Sequence, residues 1–153
     1  MATIDLPDEN ATAALAARLA AVARPGDVIA LKGELGAGKT SFARAFIRAR
    51  GGDADVPSPT FTLVQTYDLP GGAVWHFDLY RLRAAEEAWE LGIEEAFAEG
   101  IALIEWPERL GILLPARRLL VELDFGANPG ARRATLSGMG DWAPRLSALA
   151  ATV

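Results

Sequence analysis

Gly33-Glu34-Leu35-Gly36-Ala37-Gly38-Lys39-Thr40 follows the apolar run Val28-Ile29-Ala30-Leu31 and opens a helical stretch that reaches Arg50, where Gly51-Gly52 ends it. A continuous apolar run of this kind is read as a strand buried on both faces. In the loop behind it, the glycines let the backbone approach a phosphate, and a side chain at Gly38 would collide with that group. The loop N–H groups and the helix N-terminus favour an anion. Lys39 would reach the β- and γ-phosphates, and the Thr40 hydroxyl would ligate magnesium. An ordinary glycine-rich turn is the alternative, and the strand before and helix after argue against it. The stretch therefore reads as a P-loop.

A P-loop needs an acid for its metal, usually at the end of a buried strand. Two acids qualify. Val74-Trp75-His76-Phe77-Asp78 is apolar-rich and ends in Asp78; Ile101-Ala102-Leu103-Ile104-Glu105 is a cleaner apolar run ending in Glu105. Asp78 could instead pair with Arg81 or cap the next helix. A carboxylate carried into the sheet by four apolar residues needs a cation, and magnesium would serve Glu105. His76 is the only histidine. It reads either as a catalytic group or, as its alternation with Trp75 and Phe77 favours, as a packed residue. No serine sits in a nucleophile elbow, so a Ser-His-Asp hydrolase has no support. After the P-loop helix come Val56-Pro57-Ser58-Pro59 and Thr60-Phe61-Thr62. Hydroxyls there could meet the γ-phosphate or metal as switch loops do, or could form a turn rich in Ser, Pro and Thr.

The rest of the chain reads as one α/β domain, residues 1–153, with a mixed sheet whose parallel centre is extended by antiparallel hairpins and flanked by helices. Thr3–Leu6 is a short strand. Asp8 caps a helix that runs to Ala23, with Leu15, Leu19 and Val22 on one face. Thr60–Tyr67 and Ala73–Tyr80 should pair as a hairpin around Asp68-Leu69-Pro70-Gly71-Gly72. Ala84–Leu91 and Glu94–Glu99 read as helical. Leu119–Phe125 and Arg132–Ser137 form a second hairpin around Asn128-Pro129-Gly130, and a last helix starts at Asp141 or Trp142. Half of the 153 residues are apolar (51%), enough for one core. Cysteine is absent, which excludes disulfides, thiolate metal sites and cysteine nucleophiles and makes a reducing cytoplasm the expected home. No apolar run is long enough to span a membrane. The net charge is −5 and no basic run exceeds a pair of arginines, so any nucleic acid would be served through a partner. Lys32 and Lys39 are the only lysines in a chain that otherwise uses arginine. Lys39 falls where a compact ammonium is needed, and Lys32 reads as a solvated strand-end charge. The acids from Glu86 to Glu108 read as a solvated face or a surface for a partner.

Taken together, these motifs resemble one family. Gly33 to Ser41 is similar to the P-loop of the TsaE (YjeE) family, the small ATPase of the bacterial machinery that makes threonylcarbamoyladenosine in tRNA. Ser58-Pro59-Thr60-Phe61-Thr62-Leu63-Val64 resembles its switch segment, and His76-Phe77-Asp78-Leu79-Tyr80-Arg81-Leu82 its second motif. Leu91-Gly92-Ile93 and Glu105-Trp106-Pro107-Glu108 complete the order, and Asp8-Glu9-Asn10-Ala11-Thr12 resembles the N-terminal segment near the adenine. The likeness covers residues 1 to about 125 and is faint beyond Phe125. Ser41 stands where threonine is common, and the hydroxyl is kept.

The resemblance implies that the nucleotide is ATP, with ADP as product. Gly36, Ala37, Gly38, Lys39, Thr40 and Ser41 would bind it, joined by Glu9 and Thr12. Thr40 and Glu105 would hold Mg2+, with Asp78 as a second acid beside it and Lys39, Asp78 and Glu105 serving hydrolysis. Thr60 and Thr62 would belong to the switch, and Trp106 would lie beside the site and influence turnover. The implied partners are two paralogous subunits of the threonylcarbamoyl transferase complex, reset between cycles by hydrolysis; tRNA is met only indirectly.

Other classes fit less well. A small-molecule kinase would need an arginine-bearing lid, and no insertion supplies one. A GTPase would need Asn-Lys-x-Asp, and neither Asn10 nor Asn128 precedes a lysine. Asp68-Leu69-Pro70-Gly71 fits Asp-x-x-Gly but reads better as turn chemistry. A nucleotide-gated adaptor, in which binding rather than turnover matters, remains open.

Overall fold

A computed structural model of the chain describes residues 2–52 and 63–151. The chain begins with β1 (Ala2–Leu6) and α1 (Glu9–Val22), followed by β2 (Val28–Lys32) and α2 (Lys39–Ala49). Next come β3 (Val64–Leu69), β4 (Gly72–Asp78), a 3-10 helix (Ala85–Leu91), α3 (Ile93–Glu99) and β5 (Ile101–Glu105). A second 3-10 segment (Pro107–Leu113) precedes β6 (Leu119–Phe125), β7 (Arg132–Gly138) and α4 (Trp142–Ala151). The seven strands form one sheet in the order β1-β7-β6-β2-β5-β4-β3. Its centre, β6-β2-β5-β4, is parallel, and the hairpins β3–β4 and β6–β7 and the β1–β7 pair are antiparallel. This is the mixed architecture expected from the sequence.

Local chemistry explains the element boundaries. Asp8 caps α1 by accepting the Ala11 N–H at 2.8 Å, and Leu15 and Leu19 are buried on its inner face. Val28 to Leu31 and the whole of β5 are buried, as strands covered on both faces must be. Phe42, Phe46 and Ile47 of α2 pack into the larger apolar cluster with Leu19, Ile29 and Leu103. A second cluster on the other side of the sheet joins Phe77, Leu79, Ile93 and Ile104.

Two strand expectations shift. The first strand of the β3–β4 hairpin runs from Val64 to Leu69, later than Thr60–Tyr67, and part of the expected range lies outside the described residues. Its turn is Pro70-Gly71, which takes Asp68-x-x-Gly71 as turn chemistry. The second strand stops at Asp78, because the Asp78 side chain accepts the Tyr80 N–H at 3.2 Å and bends the chain out of the sheet. Ala85–Leu91 is helical but of the tighter 3-10 kind.

Candidate functional site

The parallel centre of the sheet brings the chemistry together. Leu31 lies level with Glu105 across β2–β5, and Asp78 lies level with Glu105 across β4–β5. The P-loop leaves the same end of β2, so its helix terminus and two carboxylates converge. Gly33 and Gly38 have separate reasons to be glycine. A Cβ on Gly33 would come within 2.6 Å of the Leu123 carbonyl oxygen. A Cβ on Gly38 would meet nothing in the chain nearer than Arg132 Nε at 3.9 Å, but its φ of +102° is left-handed. Gly38 precedes α2 without any side-chain cap, so the first N–H groups of the helix stay open to an anion.

A cavity of about 400 Å³ is lined by Gly36, Gly38, Lys39, Thr40, Asp78 and Glu105. Ser41, Arg81, Tyr80 and Trp106 complete its wall. Thr40 Oγ1 lies 2.9 and 3.0 Å from the two Glu105 carboxylate oxygens. The Thr40 hydroxyl has one proton, so it is shared between them. Glu105 is 2% exposed, and His76, fully buried on β4, sets Nε2 at 2.7 Å from Glu105 Oε2. With the Glu105 oxygen accepting, His76 Nε2 is the donor of this bond. The other ring nitrogen, Nδ1, is buried without a hydrogen-bond partner.

Lys39 is also buried, at 4% exposure. Its ammonium donates to the Gly33 carbonyl and lies 3.3 Å from the centroid of the Trp106 ring. Burial pushes the Lys39 pKa down, against the opposing pull of Glu105, Glu108 and Asp78. Burial pushes the Asp78 pKa up, and the Glu105 charge adds to the rise. The Tyr80 N–H, His76 and Lys39 offset it in part. Trp106 holds a left-handed backbone at φ 60° and ψ 52°, and its ring meets Tyr80 at 4.9 Å. A non-glycine residue in that region costs about 1 kcal/mol or more and is tolerated where the surroundings fix it.

The donor set fits magnesium: a hydroxyl and carboxylate oxygens without sulfur or imidazole facing the cavity, beside N–H groups open to an anion. Among the described residues, no cluster of three acids or histidines forms a metal cage. Magnesium at P-loop sites takes only one or two protein ligands and keeps substrate phosphates and waters, so a cage is not required.

A family model described as threonylcarbamoyl adenosine biosynthesis protein TsaE matches residues 6–134. The chain belongs to the TsaE family. The TsaE protein of Rickettsia bellii is 43% identical over 119 residues, which cover 77% of this chain and 83% of that protein. The Bacillus subtilis TsaE is 38% identical over 136 residues, covering 88% and 83%. A crystal structure of Bacillus subtilis YdiB has a TM-score of 0.77 to this chain at 30% identity and covers 95% of this chain and 90% of its own.

Within this TsaE fold the expected residues divide into four groups. Gly36, Gly38, Lys39, Thr40, Ser41, Asp78, Glu105 and Trp106 share the first cavity. Ala37 is buried behind the loop, with its N–H on the Glu34 carbonyl at 3.0 Å. Glu9 and Thr12 line a second cavity of about 390 Å³ that meets the P-loop from the α1 side, at Gly36, Gly38 and Ser41. Thr60 and Thr62 lie outside the described residues. Lys32 is exposed at the end of β2, and the acids from Glu86 to Glu99 are mostly exposed, as a solvated or partner-facing surface requires.

Two residues do more than the sequence indicated. His76 is packed, as its alternation predicted, and it also holds Glu105. The signal for this was its place two residues before Asp78, on the same strand face. Arg132, beyond the motifs that carried the resemblance but inside the matched residues 6–134, reaches the P-loop from β7: Nε lies 2.9 Å from the Ala37 carbonyl oxygen and Nη2 3.1 Å from that of Gly36. Nothing local in the sequence marks it.

Proposed function

We propose that this chain, working as one P-loop domain in the cytoplasm, hydrolyses ATP with Mg2+ in the service of tRNA threonylcarbamoyladenosine biosynthesis. Membership of the TsaE family makes it an ATP-hydrolysing subunit of that process. The observation that carries the residue-level reading is the Thr40–Glu105 contact, which joins the first residues of the P-loop helix to a buried acid at the end of a parallel strand.

In this reading Lys39 releases Gly33 and Trp106 to reach the β- and γ-phosphates. The loop N–H groups and the α2 terminus hold the phosphate oxygens. Thr40 and Glu105 together hold Mg2+, which when bound neutralises charge on the β- and γ-phosphate oxygens. His76 keeps Glu105 aimed at Thr40. Asp78, level with Glu105 at the end of β4 and facing the same cavity, orients the attacking water. The base and ribose lie toward Glu9 and Thr12. The partners are two paralogous transferase subunits that dock over the nucleotide and complete the water-positioning arrangement; tRNA is met through them. No helix among the described residues is long and apolar enough to cross a membrane.

Steady-state ATP turnover, measured with and without the purified transferase pair at fixed Mg2+ and salt, tests this. Slow turnover alone and acceleration by the pair are expected. An unchanged rate despite complex formation refutes the coupling. GTP competing as well as ATP for binding refutes the nucleotide assignment.

A further inference from the structure

We infer that Arg132 is a positioning residue for the P-loop, which sets the direction of the loop's phosphate-facing N–H groups from a distant strand. The inference rests on the nucleotide reading above. The Arg132 guanidinium donates to three carbonyls: Ala37 from Nε at 2.9 Å, Gly36 from Nη2 at 3.1 Å and Ala131 from Nη1 at 2.7 Å. The last bond anchors the fork to β7, and the Phe125 ring, 4.9 Å from its central carbon, backs it. The first two bonds pull two successive P-loop carbonyls to one side.

In a trans peptide the C=O and the next N–H point in opposite directions, and no cis peptide occurs among the described residues. Fixing the Ala37 carbonyl toward Arg132 therefore turns the Gly38 N–H away from it. Gly38 lines the cavity it shares with Lys39 and Thr40, whereas Arg132 lines the second cavity with Glu9 and Thr12, so the fork grips the loop from the side away from Lys39. Gly38, at φ +102°, has a soft backbone that needs such a restraint. The Gly36 bond complements the Ala37 N–H contact to Glu34, so the loop is gripped on both sides of residue 37. Without the fork the loop must be ordered by the nucleotide itself, and affinity carries that entropic cost. Lysine cannot substitute, because its ammonium is a point charge without a planar fork.

The test compares wild type with Arg132→Lys, Arg132→Gln and Arg132→Ala. Binding of a fluorescent ADP analogue with Mg2+ gives Kd, steady-state turnover gives kcat at saturating ATP, and amide hydrogen exchange reads Gly36 to Thr40 in the nucleotide-free protein. All three variants should raise Kd about tenfold and speed exchange at Ala37, whose N–H is bonded to the Glu34 carbonyl, with kcat at saturation within twofold of wild type. A variant that fails to fold leaves Arg132→Lys, the mildest change, to decide. Wild-type Kd in Arg132→Lys would show that charge alone acts and overturn the fork. A lower melting temperature with unchanged Kd and exchange would make Arg132 merely structural and overturn the inference while the nucleotide reading stands. Failure of the wild-type protein to bind the analogue would overturn both.

Discussion

Replacing Glu105 with Gln changes one charge and almost no volume. The carboxylate accepts the shared Thr40 proton at 2.9 and 3.0 Å and the His76 proton at 2.7 Å. In Glu105→Gln the amide oxygen can keep the His76 bond, and the amide N–H2 can donate to the Thr40 hydroxyl, which also accepts. The network survives as neutral hydrogen bonds. A bond to a charged group contributes about 1.5–3 kcal/mol and a neutral one about 1, so two such bonds lose about 1–4 kcal/mol. Removing a buried charge, and its repulsion of Asp78, offsets much of that. Folding stability should therefore stay within about 1 kcal/mol of wild type. The functional loss is larger, because metal-assisted charge stabilisation contributes several kcal/mol to a barrier. Taking about 3–4 kcal/mol, kcat falls by about 10²- to 10³-fold. Phosphate contacts from the loop and Lys39 remain, so the Kd for ADP should change by no more than about threefold, little beside the loss of turnover. The assay pairs saturating-ATP turnover across a Mg2+ titration with ADP binding. A kcat within twofold of wild type, or a binding loss as large as the rate loss, would refute the assignment of Glu105.

Lys39→Ala should abolish most nucleotide binding, since it removes a charge-assisted contact to phosphate; titration with ADP measures it, and near-normal affinity would remove Lys39 from the site. Asp78→Asn should slow hydrolysis yet stabilise the nucleotide-free protein at neutral pH. Asp78 has a folded pKa above the ordinary 3.8, so the folded state loses stability as pH rises from there through the raised value. Melting curves in chelator should accordingly show the variant gaining over wild type at pH 7 and no gain from this residue below pH 3.8. Arg145→Ala should strand Asp27, which Arg145 holds at 2.6 and 2.9 Å with both side chains about nine-tenths buried. Breaking such a pair costs about 3–5 kcal/mol; because Asp27 keeps the Arg24 N–H, the lower end applies, a melting-temperature drop of about 6–12 °C.

The legibility of this protein in its sequence follows the range of its contacts. The P-loop was readable because strand, glycines, lysine and threonine are consecutive, and Asp78 and Glu105 because each ends an apolar run. Their meeting could be anticipated from strand ends alone, and the β4–β5 register confirms it. The division of labour between them was not readable, since the Thr40–Glu105 contact spans 65 residues. Arg132 was silent for the same reason: its bond to Ala37 spans 95 residues, and on a strand it looks like any exposed arginine. Trp106 was expected beside the site, but its left-handed backbone and its ring over Lys39 depend on packing that no local pattern encodes.

The pairing of β1 with β7 also orders events in time. Residues 2–6 are made well before their partners, residues 132–136. A loop that long closes at an entropic cost that favours delay, so early β1 stays unzipped while the parallel centre assembles. The same late strand delivers Arg132. A growing chain can thus complete α2 and the acids of β4 and β5 before the loop between them is fastened. The fork-held form of the P-loop therefore waits for β7 to join the sheet.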